Sequence, residues 1–447
     1  MALMVSVSGV RGLVGQTLTP ALALEFAHAY ATVLGGGEMI LARDTRPSGE
    51  MYAAAATAGM LAAGCRVVNL GVAMTPTAGF AIRERRAAGG IILTASHNPA
   101  EWNGLKFLDE NGLAPDPALV TRIADIRARG AYRQVASGFH PVVRDEAATD
   151  RHVAAVLAAV ETDIAPLRGM RVVVDSINGA GCRAAPAVLR GLGVEPVQIN
   201  GTPDGAFAHT PEPIAENLSQ LCEAVRRERA AIGFAQDPDA DRLAIVDEQG
   251  RFIGEEYTLA LAVQFVLSQR RGPVAANLST SRMIDDLAAR AEVPVLRTPV
   301  GEAHVARAMM QAGAVIGGEG NGGVIDLRIS PVRDSILSIA LVLQLMARTG
   351  RSVSALVAEL PRYAMIKQKF AADRDRILAA VERLKADAAR RSDLRIDDSD
   401  GVRLDFDAGW VHLRPSNTEP IVRVIAEAAD ESVAQRLIDD ARRAAGI

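Results

Sequence analysis

One supersecondary unit recurs three times in this chain. MILARDTRPSGEMYAAAATAGMLAAGCRVVNLG from Met39, MRVVVDSINGAGCRAAPAVLRGLGVEPVQING from Met170 and GPVAANLSTSRMIDDLAARAEVPVLRTPVG from Gly272 each read as strand, polar loop, Ala-rich helix, short turn and strand. A further apolar strand then ends on a polar loop: GGIILTASHNP, AAIGFAQDPDADR and AVIGGEGNGG. The repeat spacing of roughly 100 to 130 residues is far beyond solenoid periods of about 20 to 50, so the units belong to repeated α/β domains. Ligands bind outside the carboxyl ends of strands in such sheets, so domains arranged around a common cleft would bring the three loops together there.

From about Tyr363 the pattern changes to a strand-like YAMIKQKF, a long helix, strands GVRLDF, GWVHLR and PIVRVIAEA, and a last helix. That is a smaller α+β domain with antiparallel strands. With 447 residues, 49% of them hydrophobic, the chain can bury several cores. A formal charge of −4, with both signs scattered, leaves no basic face for nucleic acid or a membrane surface. Cys65, Cys182 and Cys222 lie far apart with no CxxC, which fits a reducing cytosol and argues against a zinc ribbon. The amino terminus MALMVSVSGVRG has no basic n-region, and no apolar run reaches the eighteen or so residues of a membrane span. A soluble, unprocessed, cytoplasmic protein is expected.

The loops carry the chemistry. GGIIL is a continuous apolar run, as in a strand buried on both faces, and it ends on adjacent Ser96 and His97. Those two residues either cap a turn before Pro99 or face a ligand. In QDPDADR, Asp237, Asp239 and Asp241 alternate, so an extended backbone would send all three carboxylates to one side. Two carboxylates about 4 Å apart repel by roughly 4 kcal/mol at an effective dielectric near 20, so the cluster implies a hard cation, Mg²⁺ foremost. A solvated acidic turn is the alternative. An EF-hand is disfavoured because Arg242 stands where its loop needs glycine, although Glu248 matches its twelfth position.

GGEGNGG, from Gly317, has two functional side chains, Glu319 and Asn321, suited to sugar hydroxyls if the loop is not simply a linker. RPSNTEP offers Arg414, Ser416, Asn417 and Thr418 as a phosphate cradle, though the same residues suit a hairpin turn. DSINGAGCRAA has a weak dinucleotide-like glycine spacing, but its second strand ends on Asn200 rather than an acidic ribose ligand. P-loop, zincin and G-x-S-x-G hydrolase motifs are absent.

Taken in order, TASHNPAEWNGLK, DPDADR, GGEGNGG and RPSNTEP resemble the four signature loops of the α-D-phosphohexomutase family, across the whole chain. The resemblance implies an α/β fold of three related domains with mixed sheets plus a fourth, smaller α+β domain around a central cleft. The expected divisions are 1–145, 146–250, 251–362 and 363–447. It implies a mutase that interconverts hexose 6-phosphate and hexose 1-phosphate through phosphorylated Ser96 and a hexose 1,6-bisphosphate, which is also the expected activator. Ser96, Asp237, Asp239 and Asp241 would bind Mg²⁺, and Lys106, Arg11 and His97 would serve catalysis. Arg242, Gly301, Glu319 and Asn321 would bind the sugar, with Arg414, Ser416, Asn417 and Thr418 holding the non-reacting phosphate.

Two departures stand out. Pro238 replaces a glycine common in relatives, and the sugar loop lacks the final histidine of its GEMSGH and GEQSGH versions. Together with PVGEAHV, that loop is similar to the archaeal-type phosphoglucosamine mutases, which makes glucosamine 6-phosphate the expected substrate. A phosphomannomutase/phosphoglucomutase of broad specificity is the alternative, and a non-catalytic sugar-phosphate binding protein a third. Small-molecule hexose phosphates are the expected partners, with the protein a monomer or homodimer and the fourth domain closing through a hinge near residues 360–366.

Overall fold

The computed structural model describes residues 3–6, 9–160, 165–371, 374–415 and 421–447. The three recurrent units fold alike. Strands Gly37–Arg43 and Cys65–Val72 flank helix Gly49–Ala62 in the first, and Arg171–Asp175 and Glu195–Ile199 flank Ala184–Gly191 in the second. In the third, Val274–Asn277 and Val295–Thr298 flank Met283–Arg290. The next apolar strand of each unit, Gly89–Leu93, Ile232–Gln236 or Ile316–Glu319, lies parallel on the other side of the first strand. A fourth strand, Trp102–Leu108, Leu243–Val246 or Gly323–Ile325, returns antiparallel beside it. The strand order is the same in all three sheets, and Met4–Ser6, Gly9–Leu13 and Val143–Arg144 widen the first to seven strands.

Gly89–Leu93 is buried at every position, as its apolar run predicts, yet only one of its neighbours is parallel. The connection over residues 94–101 is too short for the crossover of about a dozen residues that a parallel return requires, so the chain folds straight back. That return sets Lys106 opposite Ile92, one strand away from the end that carries Ser96.

Helices Pro20–Leu34, Gly49–Ala62 and Pro117–Arg129 cover one face of the first sheet and Thr75–Arg85 the other. The second and third sheets share a single core that runs from Val156 through Phe234 and Leu259 to Leu341 and Leu360. At its centre lies helix Ser335–Thr349, buried continuously from Ser335 to Met346 and capped by the Asp334 carboxylate, which accepts from the N–H groups of Ile336 and Leu337. A helix apolar on all sides belongs inside a large core. No single helix among the described residues is long and apolar enough to cross a membrane.

The fourth domain is a five-stranded antiparallel sheet in the order Ala364–Ala371, Ile421–Ala428, Gly409–Pro415, Val402–Phe406 and Arg395–Asp397. Helices Arg374–Ala388 and Glu431–Ala445 pack on it around a separate core containing Leu384, Val411, Val424 and Ile438. The edge strand Arg395–Asp397 was not expected, since three residues with two charges carry no readable alternation. Separate cores imply separate cooperative units. Leu341→Ala, a truncation costing about 2–5 kcal/mol, should lower one thermal transition that contains both the second and third sheets. Truncation of Val424 to Ala should lower a different one, and calorimetry combined with hydrogen exchange will show which peptides open together.

Candidate active site

Strand Gly89–Leu93 delivers Ser96 to a tight turn in which its backbone is left-handed, with φ 50°. That conformation costs a non-glycine residue about 1–2 kcal/mol, so the surroundings must enforce it. They do so with polar contacts. Ser96 N–H donates to Thr94 Oγ1 at 2.9 Å, and Arg46 Nη2 donates to the carbonyls of Ser96 and Asn98 at 2.8 and 2.5 Å. Arg46 is fully buried, paired with Asp44 and stacked on the Phe207 ring at 5.0 Å. Asp44 also accepts from Thr94 Oγ1 at 2.6 Å. Neither Asp44 nor Arg46 was singled out in the sequence, although an acid and a base two residues apart in the ARDTRPSG loop were the available signal.

The Ser96 hydroxyl donates to Asp237 Oδ2 at 3.1 Å. Asp237, Asp239 and Asp241 are all buried, with one carboxylate oxygen from each lying within 4.8 Å of the others. The expected extended backbone is incorrect. The loop is a turn closed by Ala240 N–H on the Asp237 carbonyl at 2.9 Å, with Ala240 left-handed at φ 54°. An extended segment would leave this short connection unable to reverse into Leu243–Val246, so the carboxylates converge by curling rather than by alternation.

Neighbouring groups settle how the charges are borne. Burial opposes ionisation of Asp239, but Lys106, 2.5 Å from its Oδ2, and Thr75, 2.6 Å from the same atom, hold it well below the ordinary range. Burial likewise opposes Asp241, and Arg333, 2.6 Å from its Oδ2, pulls it down. Asp237 has no cation within hydrogen-bond distance among the described residues, and burial followed by the charges of Asp241 and Asp239 pushes it well up. Asp239 Oδ1 and Asp241 Oδ1 are buried with no hydrogen-bond partner among the described residues. Two orphaned carboxylate oxygens beside a third carboxylate fit a hard divalent cation, and nothing but oxygen is on offer.

The other expected residues gather around this centre. Arg11 Nη1 is 3.4 Å from Asn98 Oδ1, and burial lowers its guanidinium from the ordinary value. His97 is pushed down to about 2 by burial and then by Arg242 and Arg11, so it is neutral, and its Nδ1 has no partner among the described residues. Arg242 Nε lies 3.9 Å from Asp241 Oδ1. Glu319 is buried, with Oε1 accepting from Asn277 Nδ2 at 2.7 Å and Gly301 N–H at 3.0 Å, and Oε2 from Arg333 Nη1 at 2.6 Å. Asn321 Oδ1 is buried and without a partner among the described residues.

Arg414 donates through Nε to Asp400 Oδ2 at 2.9 Å, and its Nη2 is buried with no partner among the described residues. Ser416, Asn417 and Thr418 lie outside the described residues. Asp400 Oδ2 also accepts from Val300 N–H at 3.0 Å, which joins the fourth domain to the PVGEAHV loop. Beside it, His412 spans from the Asp400 carbonyl at 2.7 Å to Ser279 Oγ at 2.9 Å, and burial pushes it down to about 4. Asn277, Asp400, His412 and Arg333 were not foreseen, because each sits outside the motif that it serves.

Successive parts of one family match the chain in order: phosphoglucomutase/phosphomannomutase alpha/beta/alpha domain I over residues 3–134, domain II over 150–250, domain III over 254–363 and the C-terminal domain over 365–444. A Methanopyrus kandleri protein named "Probable phosphoglucosamine mutase" is 40% identical, over 97% of this chain and 95% of its own. The chain belongs to the phosphoglucomutase/phosphomannomutase family. It is a phosphohexomutase, an enzyme of the isomerase class. A Thermococcus kodakarensis protein named "Phosphoglucomutase/phosphomannomutase" is 38% identical to this mutase over 96% of both chains. A phosphoglucomutase/phosphomannomutase family protein from Burkholderia thailandensis has a similar solved structure, with TM-score 0.88, 27% identity and coverage of 99% of this chain and 97% of that one.

If the orphaned oxygens receive a divalent cation, adding Mg²⁺, Mn²⁺ or Ca²⁺ to chelator-treated mutase should raise its melting temperature, the binding stabilising the fold by about 2.7 kcal/mol at a hundredfold excess over Kd. Asp239→Asn should abolish the gain. A melting temperature insensitive to all three ions would refute the site.

Proposed function

We propose that this mutase interconverts glucosamine 6-phosphate and glucosamine 1-phosphate through a phosphorylated Ser96 and a hexose 1,6-bisphosphate, which also primes the enzyme. The observation that carries the reading is the Ser96 hydroxyl, presented by a strained turn 3.1 Å from the acidic loop. In the first half-reaction the phosphoryl group leaves Ser96 Oγ as a bond forms to the free hydroxyl of the hexose monophosphate. The bisphosphate turns end for end, and the other phosphoryl returns to Ser96.

Asp237, Asp239 and Asp241, with the Ser96 phosphate, would hold Mg²⁺, whose charge would offset that of the phosphoryl oxygens. Burial opposes the charge of Lys106, but Asp239 and Asp241 keep it an ammonium, so it gives a proton to Ser96 Oγ as the phosphoryl leaves and takes back the proton of the attacking hydroxyl, while Arg11 offsets negative charge near the Ser96 turn. His97, held neutral, contributes a hydrogen bond rather than a charge. Arg242, Gly301, Glu319 and Asn321 bind the sugar, and Arg414 Nη2, buried and without a partner among the described residues, supports a role for it, with Ser416, Asn417 and Thr418, on the non-reacting phosphate.

The division into 1–145, 146–250, 251–362 and 363–447 is supported by sheets that each lie within one segment. The short link between helix Val353–Glu359 and strand Ala364–Ala371 supports a hinge near 360–366. Three free cysteines, Cys65, Cys182 and Cys222, are in keeping with a reducing cytoplasm.

The choice of sugar rests on the archaeal-type loop and on the relative named as a phosphoglucosamine mutase. The Thermococcus relative, similar to nearly the same degree, supports a second reading of broad specificity. Mass spectrometry should find phosphate on Ser96, and Ser96→Ala should lose essentially all turnover, because removing the nucleophile forfeits the covalent two-step route. Near-normal turnover by that variant would refute the mechanism. Rates on glucosamine, glucose, mannose and N-acetylglucosamine phosphates, primed with hexose 1,6-bisphosphate, decide the sugar. A site that hydrogen-bonds the amine should prefer glucosamine phosphate by several orders of magnitude, whereas comparable kcat/KM values would establish the broad enzyme.

A further inference from the structure

Arg333 belongs to none of the four signature loops, yet it touches two of them. It lies in SPVRDS, immediately before the buried helix Ser335–Thr349, and its own side chain is almost wholly buried. Each of its three nitrogens meets a different carboxylate: Nη2 to Asp241 Oδ2 at 2.6 Å, Nη1 to Glu319 Oε2 at 2.6 Å and Nε to Glu302 Oε2 at 3.0 Å. Asp241 comes from the acidic loop, Glu319 from the sugar loop and Glu302 from the PVGEAHV segment.

Access for that side chain depends on Gly323, the last residue of GGEGNGG and the position at which the GEMSGH version of the loop carries histidine. A Cβ at 323 would lie 2.0 Å from Arg333 Cδ and 2.7 Å from its Cγ. The space a side chain at 323 would use is therefore filled by the Arg333 stem. The two residues form one device, a missing side chain and the long cation that takes its place.

We infer that Arg333 is a positioning residue that couples cation binding at the acidic loop to sugar binding at Glu319, and that glycine at 323 is the condition for it. The fork pins Asp241 by Oδ2 and leaves Oδ1 without a hydrogen-bond partner among the described residues, where it could hold a cation, while pinning Glu319 by Oε2. A guanidinium is planar and rigid, so a shift at one carboxylate is carried to the other, which a lysine with a single ammonium cannot do. Coupling of this kind is reciprocal: each ligand must tighten the other by the same factor. The inference rests on the reading of the acidic loop as a cation site and of Glu319 as a sugar ligand.

The test is calorimetric titration of the full-length mutase with Mn²⁺, with and without the hexose 6-phosphate that it turns over best. In the unmodified enzyme the sugar phosphate should tighten Mn²⁺ on the order of tenfold, and Mn²⁺ should tighten the sugar phosphate equally. Arg333→Lys should bind each ligand alone but reduce the mutual effect to less than about twofold. Gly323→Ala keeps every charge and displaces only the Arg333 stem, so it should show the same loss. Retention of the full coupling by either variant would overturn the inference, as would an unmodified enzyme that binds both ligands independently. If neither variant folds, Arg333 is a structural strut and the inference falls. Failure of the unmodified enzyme to bind Mn²⁺ at all would instead overturn the cation reading on which it depends.

Discussion

Three carboxylates confined within 4.8 Å of one another, with almost no access to water, set the terms for the rest of this molecule. Each pair at about 4 Å is unfavourable by roughly 4 kcal/mol at an effective dielectric near 20, before any cost of desolvation is counted. No single domain supplies the remedy. Lys106, on the first sheet, serves Asp239, and Arg333, ahead of the central helix of the third domain, serves Asp241. Thr75, at the start of a first-domain helix, binds Asp239 through its hydroxyl and donates its N–H to the Asp239 carbonyl at 3.0 Å. The acidic loop of the second domain is therefore satisfied only in the assembled protein. Cation chemistry and domain assembly are one physical problem here, because the groups that neutralise the loop also hold its neighbours in place.

The repeated topology explains how those groups arrive. In each of the first three domains the first and third strands run parallel and adjacent, so their carboxyl ends open side by side. The carboxyl end of the first strand of each repeated unit, or the loop after it, then braces that of the third. Arg46 holds the Ser96 carbonyl in the first domain, Ala180 N–H donates to the Pro238 carbonyl at 2.8 Å in the second, and Asn277 binds Glu319 in the third. The chemistry differs in each case while the mechanical arrangement is the same. Such bracing is what allows Ser96 to persist in a left-handed conformation that a free turn would relax.

Much of this was legible in the sequence because it is local. Apolar runs ending at Ser96, Asp237 and Glu319 marked the three strand ends, and the change of pattern near Tyr363 marked the fourth domain. The acidic loop was read correctly as a cluster and incorrectly as extended, since alternation in DPDAD cannot reveal that Ala240 turns left-handed. The larger omissions have one cause. Arg333, Asn277 and Asp400 act across distances of many residues on motifs that they do not belong to, and one sequence carries no periodic or compositional trace of such a pairing. Arg333 in particular looks like an ordinary charge before a capped helix until Gly323 is seen to make room for it.

The fourth domain obeys a different logic, because it has its own core and no strand in common with the others. Its connection to the third domain is polar. Arg282 N–H donates to Glu427 Oε1 at 2.8 Å, His412 meets Ser279, and Asp400 receives both Val300 N–H and Arg414 Nε. Buried hydrogen bonds of this type contribute only about 1 kcal/mol each net, unlike the shared apolar core that binds the second and third sheets. Asp400 gives that interface a functional consequence: the carboxylate that orients the proposed phosphate-binding arginine is also the one that accepts from the domain opposite. Undocking would break the Val300 contact while leaving Asp400 paired with Arg414 inside the fourth domain, so a domain free to move would carry its proposed phosphate-binding cation with it and bring that cation into register with the PVGEAHV loop only when it is seated.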